Sequence, residues 1–479
     1  MSDIVSLAAL ISTNVSIIQT ICDVHGITLP APNRPFQSST IDPHVISGIA
    51  EASSIIVSAA AQLIVIVRPP TATLVTTALQ HHVCSSLRAS INTSVVEILR
   101  EAGNKGLHVD QIAKINHVNP TKLARILRLL ATEYIFCEVA PNVFANNSIS
   151  ALLDSRKSVA QLLAYPEDRH RDTSGIAAVL SHFTDESFKS SAYLTESLVD
   201  PNFAFADDPN HTAFNLAFQT HLPIFPWYEL PENHLRLSTF SYAMEGGNNM
   251  LRPDSIIQDF PWESLVANSI VVDVGGGIGT QTLALYRAFP SLRFVVQDLP
   301  GPVRHGTMFW NSKYPEALIS KRVVFKEHDF FKDQPEKDAN VYLLRMILHD
   351  WSDANCIKIL KKIHSSAGPN SKLLIIEDIR PYACVDTTAA SKIPGGDVAS
   401  PPAPLLPNWG HAKIFGYLVD IQMMVLMNGQ ERTLYHLFTL LTQAGWMIEQ
   451  IYRDPEFTAT HHQILARKII SKSEQRTNL

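Results

Sequence analysis

Ten residues, Val271-Val272-Asp273-Val274-Gly275-Gly276-Gly277-Ile278-Gly279-Thr280, constrain the fold of this chain more than any others. Ser269 to Val274 is short, apolar and rich in β-branched residues, which is the composition of a buried strand. The glycines after it permit a sharp turn and let bare N–H groups come against a ligand. Gln281 to Phe289 then has apolar spacing suited to a helix. Strand, glycine turn and helix together make a nucleotide-type cradle. Gly275, Gly277 and Gly279 fall at every second position, which is not the G-x-G-x-x-G spacing of a dinucleotide fold. The competing reading is a glycine-rich turn with no ligand.

From Ser269 onward strands and helices alternate. Strands are expected at 269–274, 293–298, 322–328, 339–347 and 371–377, with helices at 279–289, 302–313 and 352–366. That alternation specifies an α/β fold with a parallel, doubly wound, Rossmann-like sheet. Helices at 411–426 and 434–444 come next. Two last strands, Met447 to Arg453 and His462 to Lys468, would pair antiparallel at the sheet edge. The whole catalytic domain is expected over 263–470. Ala383 to Asn408, with Pro394, Gly395, Gly396, Pro401, Pro402, Pro404 and Pro407, interrupts the rhythm as a surface loop or disordered insertion.

At 479 residues the chain exceeds one typical domain. Residues 1–80 read as a helical extension broken near Pro30-Ala-Pro32 and at Pro69-Pro70. Over 81–158, helices at Ser94–Arg100, Val109–Ile115 and Thr121–Ala131 precede a two-stranded wing at Tyr134–Val139 and Val143–Ala145. This is a winged-helix pattern, and such a module can bind DNA. Lys122, Arg125 and Arg128 are its only basic support, and a formal net charge of −6 argues against nucleic acid. Residues 159–262 are helical and aromatic, a linker and substrate-pocket region in which most rings serve as core. Ile55 to Val67 is the most apolar run, but its thirteen residues fall short of the about 20 a membrane span needs. It reads as a buried interface helix, with no membrane partner. Five scattered cysteines without C-x-x-C spacing indicate neither zinc nor a disulfide framework, and place the protein in a reducing cytoplasm.

Three further stretches carry chemistry. Asp298 ends the second strand, where a carboxylate accepts hydrogen bonds from both hydroxyls of a ribose. Asp329, at the end of the third, can accept from an adenine amino group while Phe330 packs on the ring. His349 and Asp350 close the run Leu343-Leu344-Arg345-Met346-Ile347-Leu348, so they lie at the same sheet edge before a helix starting near Ser352. A histidine at a strand end is otherwise a structural hydrogen-bond donor.

The order VVDVGGGIGT, VVQDLP, EHDFF, LLRMILHDWSD, IIED and NGQERT resembles the class I S-adenosylmethionine-dependent O-methyltransferases of the plant caffeate and fungal polyketide (sterigmatocystin) type. The resemblance runs from about residue 80 to the end, and its arginine in LLRMILHD is closest to the fungal branch. It implies S-adenosylmethionine as cofactor, no metal, and a homodimer formed through the winged-helix domain. Gly275 and Gly277, with Asp273 and Leu299, would surround the methionine and ribose; Asp298 would hold the ribose, and Asp329 with Phe330 the adenine. Arg345 stands where many plant members have a cofactor-contacting lysine. His349 would be the general base, flanked and oriented by Glu377 and Glu431. Met423 and Asn428 fall where substrate-clamping residues occur, at a shorter spacing than in the family.

Charge dictates the mechanism these roles imply. A neutral phenol, with a pKa of about 10, is a poor nucleophile at neutral pH. A neutral imidazole of pKa about 6.5 can take its proton as attack develops, with Glu377 or Glu431 on the other ring nitrogen fixing the tautomer. The expected activity is O-methylation of an aromatic or polyketide hydroxyl. The alternative is a methyltransferase-like enzyme of pericyclase or dehydratase type that keeps S-adenosylmethionine as a scaffold. Such relatives depart from the family at the catalytic histidine, which is retained here.

Overall fold

The computed structural model describes residues 3–29, 31, 48–250 (backbone only for 248–250), 255–397, 400–453 and 462–470. The chain divides into two compact units, one of Met1–Asp200 and Ala213–Leu251, the other of Pro201–Thr212 and Arg252–Leu479.

In the first unit, helices Asp3–His25 and Ile49–Val67 pack through Ile18, Cys22, Ile49 and Ala52. The second helix begins six residues before the apolar run read from the sequence. Its 19 residues, like the 23 of its neighbour, are long and apolar enough to cross a membrane, so length no longer argues against a span. Ile49, Ala52, Ile55 and Ala59 are buried, whereas Val57 and Ile64 to Val67 are exposed. The break at Pro30-Ala-Pro32 lies largely outside the described residues. Pro70 opens the helix Pro70–Leu79, where its missing N–H costs nothing.

Helices Val95–Ala102, Val109–Asn116 and Pro120–Thr132 come next, with strands β1 (Leu107–His108), β2 (Phe136–Ala140) and β3 (Val143–Asn146) in the antiparallel order β1-β3-β2. The helices and the β2–β3 hairpin lie where the sequence places them, with β1 added. Arg128 is committed within them: Nε and Nη2 donate to Glu138 at 3.0 and 2.9 Å, and Nη2 also to Asn142 Oδ1 at 2.7 Å. It braces the hairpin instead of facing a phosphate. Phe214, Phe218 and Trp227 pack within 4.8–5.1 Å of one another, and Tyr228 stacks on Phe240, so these rings are core of the first unit.

The sequence puts a boundary at 262/263; the compact units divide elsewhere. Residues 201–212 and 255–262 belong to the second unit. Phe260 and Trp262 are fully buried against Val271, Leu285 and Phe294, where only that core can cover rings of their size.

The second unit is built on β4 (Ile270–Val274), β5 (Arg293–Asp298), β6 (Val323–Glu327), β7 (Val341–Arg345), β8 (Lys372–Glu377), β9 (Trp446–Tyr452) and β10 (His462–Lys468). Their order is β6-β5-β4-β7-β8-β10-β9. The first five are parallel, and β10 runs antiparallel to both β8 and β9, so the antiparallel strand sits one place in from the edge. Alternation decides the two faces. Val272, Tyr342, Leu344 and Ile375 pack under helices Asp353–Ser366 and Leu434–Gln443, while Val271, Phe294, Leu343 and Leu374 pack with Leu285 and Trp310.

The proline-rich stretch is not a disordered loop over its described residues. Ala390 and Leu405 are buried, Ile451 N donates to the Pro394 carbonyl at 2.9 Å, and Arg453 Nε donates to the Gly395 carbonyl at 2.8 Å. An edge strand leaves a row of unpaired backbone groups, and this segment covers part of that row on β9.

Candidate active site

The glycine loop opens directly from β4. Gly275 N and Gly276 N donate to the Gln297 carbonyl at 2.8 and 3.0 Å, which folds the loop over the end of β5. Gly275 has φ +71°, and a Cβ there would meet Ile347 Cδ1 at 2.5 Å. Asp273 lies beneath the loop. It is buried, accepts from Thr282 Oγ1 at 2.7 Å, and burial pushes its pKa up to about 6 against that bond and the Arg345 charge. It therefore braces the loop and the helix Thr280–Ala288, and is not turned outward to a ligand.

Gly277 is the open point. Its φ is +59° and a Cβ there would meet nothing within 4 Å. Its N–H donates to Asp298 Oδ2 at 2.8 Å, while Asp298 Oδ1 accepts from Leu299 N at 2.7 Å. Burial raises the Asp298 carboxyl, and these two donors pull it back. Each oxygen keeps a lone pair, so the carboxylate can still receive two hydroxyls. Leu299 contributes its backbone here, its side chain being exposed. At the end of β6, Asp329 accepts from Phe331 N at 2.9 Å, and Phe330 lies edge-on to Trp351 at 5.9 Å, 3.7 Å from where a Gly275 Cβ would be. Arg345 is half-buried at the end of β7, its guanidinium held below its usual range by burial and partly restored by Asp273.

His349 enters on a strained turn. Met346 takes φ +53°, an uncommon conformation for a side-chain-bearing residue, and leads into the 3₁₀ turn Leu348–Asp350. His349 Nδ1 is 2.7 Å from Glu431 Oε1, and both residues are buried. Gln430 N donates to the His349 carbonyl at 2.8 Å, and Glu431 N to Asp420 Oδ1 at 2.9 Å, so the segment after helix Ile414–Met427 is laced to the turn.

Of the two acids implied to flank His349, Glu431 meets the ring and Glu377 meets the backbone. Its Oε1 accepts the backbone N–H of Leu348 at 2.5 Å and of His349 at 3.2 Å, so it caps the turn and leaves the ring to Glu431. A carboxylate at the end of β8 lies below the start of that turn, where two unpaired N–H groups compete for it. Burial pushes it up to about 7 against the pull of His349.

Asp350, placed by the sequence beside His349 at the sheet edge but given no role there, also meets the ring: its Oδ1 lies 3.3 Å from His349 Nε2. Its only signal is adjacency. Burial alone would depress the imidazole pKa, but Asp350 and Glu431, with Glu377 beyond, outweigh it and push it up to about 10.

Asn428 holds a neighbouring segment of the same unit. It ends the helix at φ +55°, and its Nδ2 donates to the carbonyls of Asp208, His211 and Ala206 at 2.8, 3.2 and 3.3 Å. Its amide nitrogen clamps the segment 201–212. Met423 is buried on the same helix, with its carbonyl accepting from Gly429 N at 3.2 Å. A cleft of about 480 Å³ behind the clamp, lined by Asp353, Asp420, Met424 and Asn428 among others, does not include His349.

This strand order, with a glycine loop after β4 and an acid closing β5, defines a class I methyltransferase fold. A family model described as an O-methyltransferase domain matches residues 204–401. An O-methyltransferase of Armillaria gallica is 41% identical over 93% of this chain and 94% of its own. The 4-O-methyltransferase 1 of Phanerochaete chrysosporium is 38% identical over 92% and 94%. A solved structure described as a pericyclic reaction enzyme matches with TM-score 0.67 at 18% identity, covering 95% of this chain and 98% of that one. The mitomycin 7-O-methyltransferase MmcR matches with TM-score 0.59 at 20% identity, covering 83% and 98%. Those two likenesses show the fold alone. The chain belongs to the S-adenosylmethionine-dependent O-methyltransferase family. S-adenosylmethionine is its cofactor, and the bare face at Gly277 beside the Asp298 carboxylate fits that molecule.

Proposed function

We propose that the protein methylates a phenolic hydroxyl of an aromatic or polyketide small molecule, with His349 as general base. The observation that carries this is the 2.7 Å contact of His349 Nδ1 with buried Glu431, which commits that nitrogen and makes Nε2, with Asp350 Oδ1 at 3.3 Å, the one an acceptor hydroxyl would meet. S-adenosylmethionine supplies a methyl group on a positively charged sulfonium. The chain's residues do the rest. Glu431 keeps the proton on Nδ1 and balances the imidazolium that forms. Glu377 and the Gln430 N–H hold the turn's backbone. The raised pKa of His349, about 10, matches that of a phenol, also about 10, so proton transfer between them is close to balanced. Asp298 and the loop N–H groups would hold the ribose, and Phe330 would pack on the adenine.

The test is incubation with methyl-labelled S-adenosylmethionine and a panel of aromatic polyketide phenols. The panel also includes 4-hydroxy-3-methoxybenzaldehyde and its 3-hydroxy-4-methoxy isomer. Label is expected on the oxygen of at least one acceptor. Tight cofactor binding with no label in any acceptor would favour the scaffold-type, pericyclic reading instead.

We further propose that the protein works as a homodimer. Ile64 to Val67, Leu74 and Val75 expose apolar surface on consecutive helices, which a second copy would cover. Sedimentation at micromolar concentration should give twice the 53.1 kDa chain mass, and a monomer there would rule the dimer out. None of the five cysteines is in a disulfide, and we place the protein in the reducing cytoplasm, which would keep their thiols reduced.

A further inference from the structure

We propose that Arg432 is the positioning residue for His349: its guanidinium grips both ends of the turn whose ring Glu431 holds. This rests on the reading of His349 as the base.

Arg432 is buried. Nη1 donates to the Leu348 carbonyl at 2.8 Å and Nη2 to the Trp351 carbonyl at 2.7 Å, so the two donors bracket His349 in the chain. Nε donates to Asp353 Oδ1 at 3.0 Å, and Nη1 also reaches the Gln430 carbonyl at 3.4 Å. Asp353 is itself fixed by His436 Nε2 at 2.6 Å. That bond, with the Arg432 charge, outweighs partial burial and holds the Asp353 carboxyl at about 2, so the anchor stays ionised across the working range.

Three consecutive residues thus act on one turn. Gln430 holds the His349 carbonyl through its backbone, Glu431 holds the ring, and Arg432 holds the carbonyls of Leu348 and Trp351. Because Glu431 and Arg432 are joined by one peptide bond, the guanidinium fixes the turn's backbone relative to the carboxylate that receives the ring. Only a planar fork can serve two carbonyls and a carboxylate together; a lysine ammonium is a point charge on a flexible stem. A displacement of about 1 Å at a reacting group costs about 10²-fold in rate.

The experiment uses the full chain with Arg432→Lys and Arg432→Gln. The first readout is the low-field proton resonance of His349 Nδ1–H, measured with S-adenosylhomocysteine bound and assigned by its absence from His349→Gln. The second is turnover with the best acceptor of the phenol panel. Both variants should shift or lose the resonance, and kcat should fall by about 10²-fold with KM and cofactor affinity within about two-fold. Lysine, although it keeps the charge, should not rescue either readout. An unmoved resonance with reduced turnover, or full rescue by lysine, overturns the proposal. A shifted resonance with undiminished methyl transfer would support the positioning role and sink the general-base reading instead. Should Arg432→Gln not fold, Asp353→Asn removes the anchor at a half-exposed position. An unmoved resonance in that variant overturns the proposal equally.

Discussion

Replacing His349 by Gln should lower methyl transfer to a phenol by about 10²–10⁴-fold and leave S-adenosylmethionine affinity nearly unchanged. A base acts on the developing phenoxide, whereas cofactor affinity is expected to come from the loop and Asp298. The loss should shrink as acceptors become more acidic, because a phenol already ionised needs no base. The pH dependence comes from the carboxylates around the ring. With the pKa of His349 raised from 6.5 to about 10, the neutral ring is scarce at pH 7 and turnover should climb toward alkaline pH, not level off near 6.5 as an isolated imidazole would. Stability has the opposite sign. The imidazolium stabilises the folded state fully below 6.5, and that contribution is lost as pH rises through about 10. The melting temperature of the unmutated protein should therefore fall across this window relative to His349→Gln. Glu431→Gln keeps an acceptor for Nδ1–H and should cost less turnover, while moving the alkaline rise to lower pH. Turnover, calorimetric affinity and melting temperature on the same variants decide the matter. An intact fold with undiminished transfer would remove His349 from the chemistry, and joint loss of folding and cofactor binding would make it structural.

The second large effect is expected at Asp298. Asp298→Ala should weaken S-adenosylmethionine binding by roughly 10- to 100-fold, the value of charge-assisted hydrogen bonds worth about 1.5–3 kcal/mol. Two losses combine there. The ribose hydroxyls lose an acceptor, and the Gly277 N–H loses the oxygen that holds it at 2.8 Å. Asp298→Asn keeps one acceptor oxygen and should lose less. Calorimetry giving an unchanged Kd for Asp298→Ala would take this residue out of the cofactor site.

The strands are readable because their information is local. Val271, Val272 and Val274 are buried on β4, and every strand of the large sheet lies within a residue or two of its expected place. His349 with Glu431 is readable from motif order, although 82 residues separate them. What stays hidden is the choice of partner. Glu377 has the right neighbourhood and a different target, since two backbone N–H groups lie closer than the ring. Asp350 is readable as the neighbour of His349 at the sheet edge, but adjacency says nothing of where its carboxylate turns. The proline-rich segment reads as solvent-loving by composition, yet the unpaired edge of β9 gives its carbonyls donors that no composition records. Asn428 looks like a residue for a ligand until the carbonyls of 206–211 are seen to occupy it.

That last contact bears on how the protein is made. The chain leaves the first unit at 200, returns at 213 and leaves again at 252, so neither unit is a continuous stretch of polypeptide. Asp208 is translated 220 residues before the asparagine that secures it. At roughly 5–20 residues per second, Phe203 spends about 10–40 s outside the ribosome before the clamp on its segment is synthesised. For that interval the nascent chain carries an aromatic segment with its native anchor still unmade, a stretch open to holdase chaperones and to aggregation.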